Sequence, residues 1–385
     1  MTMQKIKTMS LCMLLLIGCL LTGCANKGQG ADGLTQTYNG EAIQPKLSKI
    51  NMPFELVVDE SRNKSLNMYT VCYSDEDCFL VANVNDNIVT ATSITFPDIR
   101  TNGVYMVKYD KSNSSTLYDI KSDKLIYSAV PYKEGIVYAN SKAVGEEPLG
   151  ENAFYKWSIT YFDGKTQKEL DSGYSKNEFA AEITMAGEVP VYCCERVNKE
   201  DEIEVSINKI VDLEPENIEI LEGFEKDSII QPNGKSYLIE LYDSKNKKTL
   251  LVAGDEESVK VKHELEDQIN SSSITENYIV ASLGGEMGKT TIEGIPLGKS
   301  EAKDFSQTKR WWRMVGSGGK YCLVVDDGFN PYYINIEDGL VGEVILSEEM
   351  ENDPNCLVKY FHPAGKDRYI LSINYEDFYI MDLNS

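Results

Sequence analysis

One short segment combines basic and aromatic residues in a pattern that could bind a ligand. Arg310-Trp311-Trp312-Arg313 stands in an acidic chain, whose 38 basic and 61 acidic residues give a formal net charge of −23. Cations beside indole faces can hold an anionic ligand or a sugar through charge, stacking and cation–π contact. We therefore take Arg310, Trp311, Trp312 and Arg313 as a candidate ligand-binding site. The alternative is structural: one tryptophan packs in the interior and the cations cap the other.

Other motifs with a known chemistry are missing from the sequence. There is no Gly-x-Ser-x-Gly elbow, His-Glu-x-x-His helix or phosphate loop. The two histidines, His263 and His362, lie in unrelated contexts, so we predict neither a metal site nor a cofactor. Acid–base catalysis would have to use carboxylates, and no pair of them stands out by its spacing. The oxygen-rich residues 326–330 lack the ligand spacing of an EF-hand loop, and ordinary hairpin turns use the same residue types.

Two cysteines have a spacing that suggests a bond between them. Cys72 and Cys78 flank five residues, 73–77, which would form a tight hairpin with the two thiols directly across the strands. An exported protein permits such a bond, so Cys72–Cys78 is a candidate disulfide, with two buried thiols as the alternative. Cys193 and Cys194 are neighbours on one predicted strand and should point to opposite faces.

The N-terminal residues have the order of a bacterial export signal. Lys5 and Lys7 precede an apolar stretch, residues 11–21, which is shorter than the about 20 residues that a membrane span needs. The stretch runs into Leu21-Thr22-Gly23-Cys24, which resembles the lipobox of bacterial lipoproteins. The resemblance implies that residues 1–23 are removed as a signal peptide. It also implies that Cys24 carries a diacylglyceryl group, often with an acyl chain such as palmitate on the new amino group, and so anchors the chain to a membrane. The alternative is an uncleaved anchor with an incidental cysteine.

Residues 24–47 are predicted to form the lipidated N-terminus and a flexible tether, because Gly, Asn, Gln and Thr dominate them and apolar residues are scarce. Removal of residues 1–23 takes away two lysines and no acid, so the formal charge of the mature chain is −25. That charge favours solubility and argues against nucleic acid as a partner. We expect a monomer on the extracytoplasmic face of a membrane of the cell envelope, whether that envelope has one membrane or two.

The remaining residues, 48–385, repeat one pattern that predicts an all-β domain. A turn residue followed by a strand rich in Tyr and Val recurs at Asp77, Gly135, Gly187, Gly234, Asn277, Gly319 and Gly365. The spacings between successive turn residues are 58, 52, 47, 43, 42 and 46 residues. These lengths fit a four-stranded propeller blade with its loops, so seven repeats predict seven blades.

The chain appears to lack one strand at its end. After Gly365 there is room for one central strand and for one more, at residues 377–383, but not for an outer strand. Residues 54–59, Phe-Glu-Leu-Val-Val-Asp, form a strand without a hairpin partner of their own. We predict that this N-terminal strand pairs with the C-terminal strand and closes the ring, which removes two exposed edges.

Over residues 52–385 the pattern resembles bacterial β-propeller domains of the TolB-like or quinoprotein-like sort. The resemblance lies in the repeat alone, because the Trp-Asp series of WD40 repeats and the Ser-x-Asp-x-Gly-x-x-Trp box of sialidase-like propellers are both absent. The alternative architecture is a pair of tandem β-sandwich domains. Residues 256–269 form the one stretch with enough charge and apolar content for a helix, and residues 259–262 within it alternate like a strand.

Three functions are compatible with this sequence. The leading hypothesis is a lipid-anchored propeller that binds a protein, peptide or glycan without catalysis. The second is a carbohydrate-active hydrolase or lyase that uses carboxylates at the mouth of the propeller channel. The third is the solute-binding lipoprotein of a transporter, a class that usually has two α/β lobes. Because one fold hosts many functions, the residues at the site must decide between them.

Overall fold

The architecture follows from a computed structural model of the chain. It describes residues 39–50, 67–75, 78–85, 100–108, 115–118, 120, 125–144, 154–197, 202–226, 231–266, 269–284, 290–298, 302–307, 313–316, 318–326, 330–347, 350, 358–373 and 377–384. Within these residues no helix is long and apolar enough to cross a membrane.

The described residues form strands throughout. The strands of the first half are β1 Lys46–Lys49, β2 Asn67–Ser74, β3 Cys78–Asn85, β4 Arg100–Lys108, β5 Ser115–Tyr118, β6 Leu125–Tyr132, β7 Gly135–Val144, β8 Phe154–Phe162, β9 Gln167–Ser175, β10 Ala181–Ala186, β11 Val189–Val197, β12 Ile203–Val211 and β13 Glu214–Glu222. Those of the second half are β14 Glu225–Lys226, β15 Gln231–Asn233, β16 Ser236–Asp243, β17 Lys248–Asp255, β18 Val259–Glu266, β19 Ile269–Ile274, β20 Tyr278–Gly284, β21 Thr290–Pro296, β22 Lys303–Gln307, β23 Arg313–Gly316, β24 Tyr321–Val325, β25 Pro331–Asn335, β26 Leu340–Glu343, β27 Val358–Pro363, β28 Arg368–Ile373 and β29 Asp377–Asp382.

These strands assemble into seven antiparallel sheets, numbered here along the chain. The sheets are β2–β5, β6–β9, β10–β13, β14 to β18, β19–β22, β23–β26 and, as the seventh, β27, β28, β29 and β1. In the fourth sheet β14 and β15 share the innermost position, since both pair with β16. Each sheet therefore has four strand positions, and the all-β propeller of seven four-stranded blades is confirmed.

The first strand of each sheet contacts the first strand of the next, so these strands are the innermost ones of a ring. The contacts run from β2 through β6, β10, β15, β19 and β23 to β27. β27 in turn lies against β2, where a hydrogen bond joins Ser74 Oγ and His362 Nδ1 at 2.9 Å. The first and last sheets are thus neighbours.

The repeats that the sequence reveals are the second strands of the seven sheets: β3, β7, β11, β16, β20, β24 and β28. A second strand lies near the centre of a sheet that is covered on both faces, so its residues are buried whichever way they point. Six consecutive residues of β11, for example, are buried. Such strands are apolar along their whole length, which makes them the most visible part of each repeat.

The N-terminal strand that pairs with the C-terminal strand is a different segment from the one predicted. β1 supplies the outer strand of the seventh sheet, with Lys46 opposite Asp382 and Lys49 opposite Tyr379. Residues 54–59 lie outside the described residues. The pairing of the chain ends is therefore as expected, but residues 46–49 make it.

The segment before β1 also belongs to the folded domain. Gly40 N donates to Val341 O at 3.0 Å, Ile43 N donates to Glu343 O at 2.9 Å, and Tyr333 Oη donates to Glu41 O at 2.7 Å. The compact unit that contains the sheets begins at Tyr38. The predicted boundary at residue 47 was therefore wrong, because these backbone groups extend the edge of the sixth sheet despite their polar sequence. We call residues 39–49 the N-terminal strap.

Apolar residues from facing sheets fill the spaces between the blades. Trp157 is fully buried, as predicted, and its Nε1 donates to Glu195 O at 2.9 Å across the space between the second and third sheets. Cys193 and Cys194 are both buried and, as expected, point into different clusters on the two faces of the third sheet. Residues 259–266 form a strand, β18, so the helical alternative for that stretch was wrong.

The predicted Cys72–Cys78 disulfide is not formed. The turn is tighter than expected, since Cys78 N donates to Asp75 Oδ1 at 2.8 Å and Asp75 N donates to Cys78 O at 3.0 Å. A bulge between Val71 and Tyr73 then moves Cys72 out of the register that would place it opposite Cys78. Cys78 carries a buried thiol.

Candidate functional site

The propeller has two faces that differ in the kind of chain segment they carry. In an antiparallel four-stranded sheet the turns between strands one and two and between strands three and four lie at one end, which we call the turn face. The turns between strands two and three, and the connections from one sheet to the next, lie at the other end, the connection face.

The turn face is held together by backbone groups of successive sheets. Gly187 N donates to Gly234 O at 2.8 Å, and both glycines have positive φ, 62° and 55°, which few other residues adopt without strain. Glu276 N donates to Gly319 O at 2.7 Å, and Gly318 N donates to Gly365 O at 3.2 Å. The first hairpin turns of the third to the seventh sheet are thereby joined in pairs.

The predicted ligand-binding cluster leads into the connection face. Arg313 is the first residue of β23, the innermost strand of the sixth sheet, and its Cα pairs with that of Val325. Arg310, Trp311 and Trp312 lie outside the described residues. The position of Arg313 agrees with the blade in which the sequence placed the cluster, and its role in binding stays a prediction.

A buried ion pair joins the third and fourth sheets at the connection face. Lys226, on β14, reaches Glu182, on β10, and the two side chains are 3% and 4% exposed. Charges are this deeply buried only when they are paired, because removing them from water is costly. Sequence patterns give no sign of this pair, since Glu182 and Lys226 lie in different repeats.

A second buried carboxylate, Glu195, lies beside that pair. Its Oε2 accepts a hydrogen bond from Lys226 N at 3.1 Å, and its Oε1 accepts one from Ser175 Oγ. Burial raises the pKa of Glu195, although the bonds from Ser175 and from the Lys226 amide oppose that rise. Burial also raises the pKa of the neighbouring Cys193 thiol, and the Lys226 ammonium opposes it. This cluster joins the second, third and fourth sheets through side chains.

Arg196 organises a further cluster between the second and third sheets. Its guanidinium lies over the Trp157 ring at 4.8 Å from the centroid and forms an ion pair with Asp171. Arg196 Nη1 also donates to Cys194 Sγ at 3.0 Å, and Tyr192 Oη donates to Asp171 Oδ2 at 2.6 Å. Burial raises the pKa of Cys194 to about 12, so this thiol stays protonated and unreactive.

Aspartates at hairpin turns have the structural role that the sequence suggests. Asp163 Oδ1 accepts hydrogen bonds from Lys165 N at 2.8 Å and Thr166 N at 2.7 Å. Asp326 Oδ1 accepts one from Asn330 N at 3.0 Å, so this residue of the oxygen-rich segment caps its own turn. No group of metal-ligating side chains occurs within the part of the chain that the structure describes.

Comparison with known proteins supplies structural likeness alone. No protein-family model matches the sequence, and no curated protein matches it significantly. Acylaminoacyl peptidase of Pyrococcus horikoshii is similar over 65% of this chain and 43% of its own, with a TM-score of 0.44 and 12% identity. The β-propeller domain of the Trilobed protease from Pyrococcus furiosus is similar over 65% of this chain and 79% of its own, with the same TM-score and identity. The chain therefore spans less than half the length of that peptidase. The fold assignment rests on the seven sheets themselves.

Proposed function

We propose that this chain is a lipid-anchored protein of the cell envelope whose propeller binds a protein, peptide or glycan at its connection face without catalysis. The observation that carries the proposal is the position of Arg313. It begins an innermost strand at the connection-face end, so the basic and aromatic residues directly before it enter that face beside the centre of the ring. Indole rings and guanidinium groups are common anchors at binding sites.

The state of the buried carboxylates supports binding rather than carboxylate catalysis. Glu182 is paired with Lys226, Glu195 is held by Ser175, and Asp171 is held by Arg196 and Tyr192. A general acid and base would need carboxylates that face a shared space open to substrate. These three instead tie sheets together.

The binding proposal is tested by removing the cluster as a unit. Arg310→Ala/Trp311→Ala/Trp312→Ala should abolish retention of the protein on purified peptidoglycan and on a printed glycan and peptide array. The matched control is Tyr174→Ala/Lys245→Ala, which removes an exposed aromatic ring and an exposed cation elsewhere. Retention of the triple variant at the wild-type level, with only its stability reduced, would show that the cluster is structural.

The anchor is tested separately. Cys24→Ser should move the protein from the membrane fraction to the soluble fraction of the envelope and abolish its labelling by radioactive palmitate. Cys12→Ser, within the apolar stretch, is the matched control and should leave both unchanged. Membrane retention and labelling of the Cys24 variant would contradict a lipid on that thiol.

A further inference from the structure

The connection from the second to the third sheet is pinned at both ends. It leaves β9 at Ser175, whose Oγ accepts a hydrogen bond from Asn177 N at 2.9 Å, and Asn177 Oδ1 accepts one from Phe179 N at 2.9 Å. Asn177 Nδ2 also donates to Lys226 O at 3.3 Å, in the fourth sheet. Glu178 and Phe179 therefore occupy a turn that is fixed before any ligand arrives. Such preorganisation lowers the cost of binding.

Phe179 forms an open aromatic corner with Tyr127, a residue of β6. The ring centroids are 5.2 Å apart and the planes meet at 84°. Tyr127 Oη accepts a hydrogen bond from Ala181 N at 3.2 Å, which fixes the phenol. Phe179 is 39% exposed although it is among the largest apolar side chains, so part of the corner faces solvent. Exposed apolar rings at a rigid connection often mark a contact site.

The Glu178 carboxylate lies beside this corner. Burial raises the pKa of Tyr155, and the Glu178 carboxylate raises it further. Burial and Glu182 raise the pKa of Tyr127, and Glu178 adds to that rise. A carboxylate has such an effect on a phenol only at close range, so Glu178 is next to both tyrosines.

Within the described residues, no hydrogen bond or ion pair engages the Glu178 side chain. The side chain is half-buried, and burial raises the pKa of its carboxyl group. The nearby Lys176 ammonium instead lies over the Phe154 ring, 5.7 Å from its centroid. A partly desolvated carboxylate is thus left beside exposed ring surface, and a cation from outside would compensate it.

We propose that Glu178, Phe179 and Tyr127 form a binding site for an organic ammonium group, such as an alkylamine or a lysine side chain. The carboxylate supplies charge complementarity, and the two rings supply cation–π attraction and an apolar wall for the carbon atoms next to the nitrogen. A metal ion would need several oxygen ligands, whereas one carboxylate is present at this corner. A sugar would leave the carboxylate charge uncompensated. The site is separate from residues 310–313, so either can fail without the other.

The full mature protein should bind n-butylammonium and tetramethylammonium chloride saturably, as measured by saturation-transfer NMR at constant ionic strength set with sodium chloride. We expect dissociation constants in the millimolar range, roughly those of a single carboxylate and a cation–π contact. Glu178→Gln, which keeps the shape of the side chain, should weaken binding by about tenfold. Phe179→Ala should weaken it by a similar factor.

Glu188→Gln, on the exposed turn between β10 and β11, is the matched control and should bind like the wild type. Thermal unfolding of each variant establishes that the fold is kept. The proposal is overturned if neither ammonium ion gives saturable transfer below about 100 mM, a weak limit even for one contact. It is also overturned if the Glu178 or the Phe179 variant binds as tightly as the control.

Discussion

The two faces of the propeller are built from different materials. On the turn face, backbone groups of successive sheets bond to each other, as between Gly187 and Gly234 and between Glu276 and Gly319. On the connection face, buried side chains make the joints, with the Lys226–Glu182 pair as the most deeply buried one. A backbone joint depends on chain conformation and tolerates many side chains. A side-chain joint depends on the identity of two residues, so its loss is concentrated in single substitutions.

The largest effect should come from removing the N-terminal strap, which is a backbone joint of two sheets. A chain that starts at Asn51 lacks β1, which would leave the edge of β29 in the seventh sheet unpaired. Unpaired edges promote association, so we expect aggregation and loss of cooperative unfolding. Size-exclusion chromatography and urea denaturation measure both. A chain that starts at Asn39 keeps the strap and should behave like the full-length protein.

The next largest effect should come from the buried ion pair. Lys226→Met leaves Glu182 as a buried carboxylate without its cation, which costs about 3–5 kcal/mol of unfolding free energy. Lys235→Met changes an exposed lysine of the same sheet on the turn face and should cost less than about 0.5 kcal/mol. The double variant Lys226→Met/Glu182→Met should recover much of the loss. Equal urea midpoints for the two single variants would remove the distinction between the faces.

A backbone joint can be disturbed only where chains approach closely, and Gly316 is such a place. A Cβ at Gly316, on β23, would lie 1.8 Å from Ile274 O of the neighbouring innermost strand. Gly316→Ala should therefore cost about 1–3 kcal/mol, as overpacking does. Gly298→Ala is the control, since a Cβ there meets nothing within 4 Å. Thermal unfolding of the two variants side by side measures the difference.

The smallest effect concerns the pH dependence of stability. Burial raises the pKa of Glu178 in the folded state, so the folded chain holds this proton more tightly than the unfolded chain. The contribution of Glu178 to stability therefore falls as pH rises from the unfolded pKa, about 4.3, to the raised folded value, and is constant above it. Glu178→Gln should be slightly more stable than the wild type at pH 7 and no different at pH 3.5. Urea titrations across this range measure it, with Glu188→Gln as baseline, and an unchanged difference curve would contradict it.

The sequence was sufficient for the repeat and for the number of sheets. Second strands such as β11 are buried on both sides, so their apolar runs appear in the sequence without reference to any other part of the chain. Turn aspartates such as Asp163 were also predictable, because their hydrogen bonds are local.

Joints between sheets were beyond sequence reasoning for a physical reason. Lys226 and Glu182 are 44 positions apart and meet only after two sheets have formed. The strap was missed because residues 39–47 bond mainly through backbone groups, which leave no mark on residue choice. The disulfide failed because one bulge near Cys72 shifts the register of the hairpin. The candidate ammonium site combines residues from two sheets and a connection, and only the exposed Phe179 could have drawn attention to it.

The N-terminal strap also gives the propeller a load path. The strap begins at Asn39, which bonds to Gly339 O and Val341 N, and it then runs beside β26 in the same direction before pairing with β29. A pull on Asn39 along the strap loads these hydrogen bonds in shear, so several must break together rather than one after another. Tension entering at this end is therefore divided between the sixth and seventh sheets, and the opposite side of the ring is mechanically shielded from it.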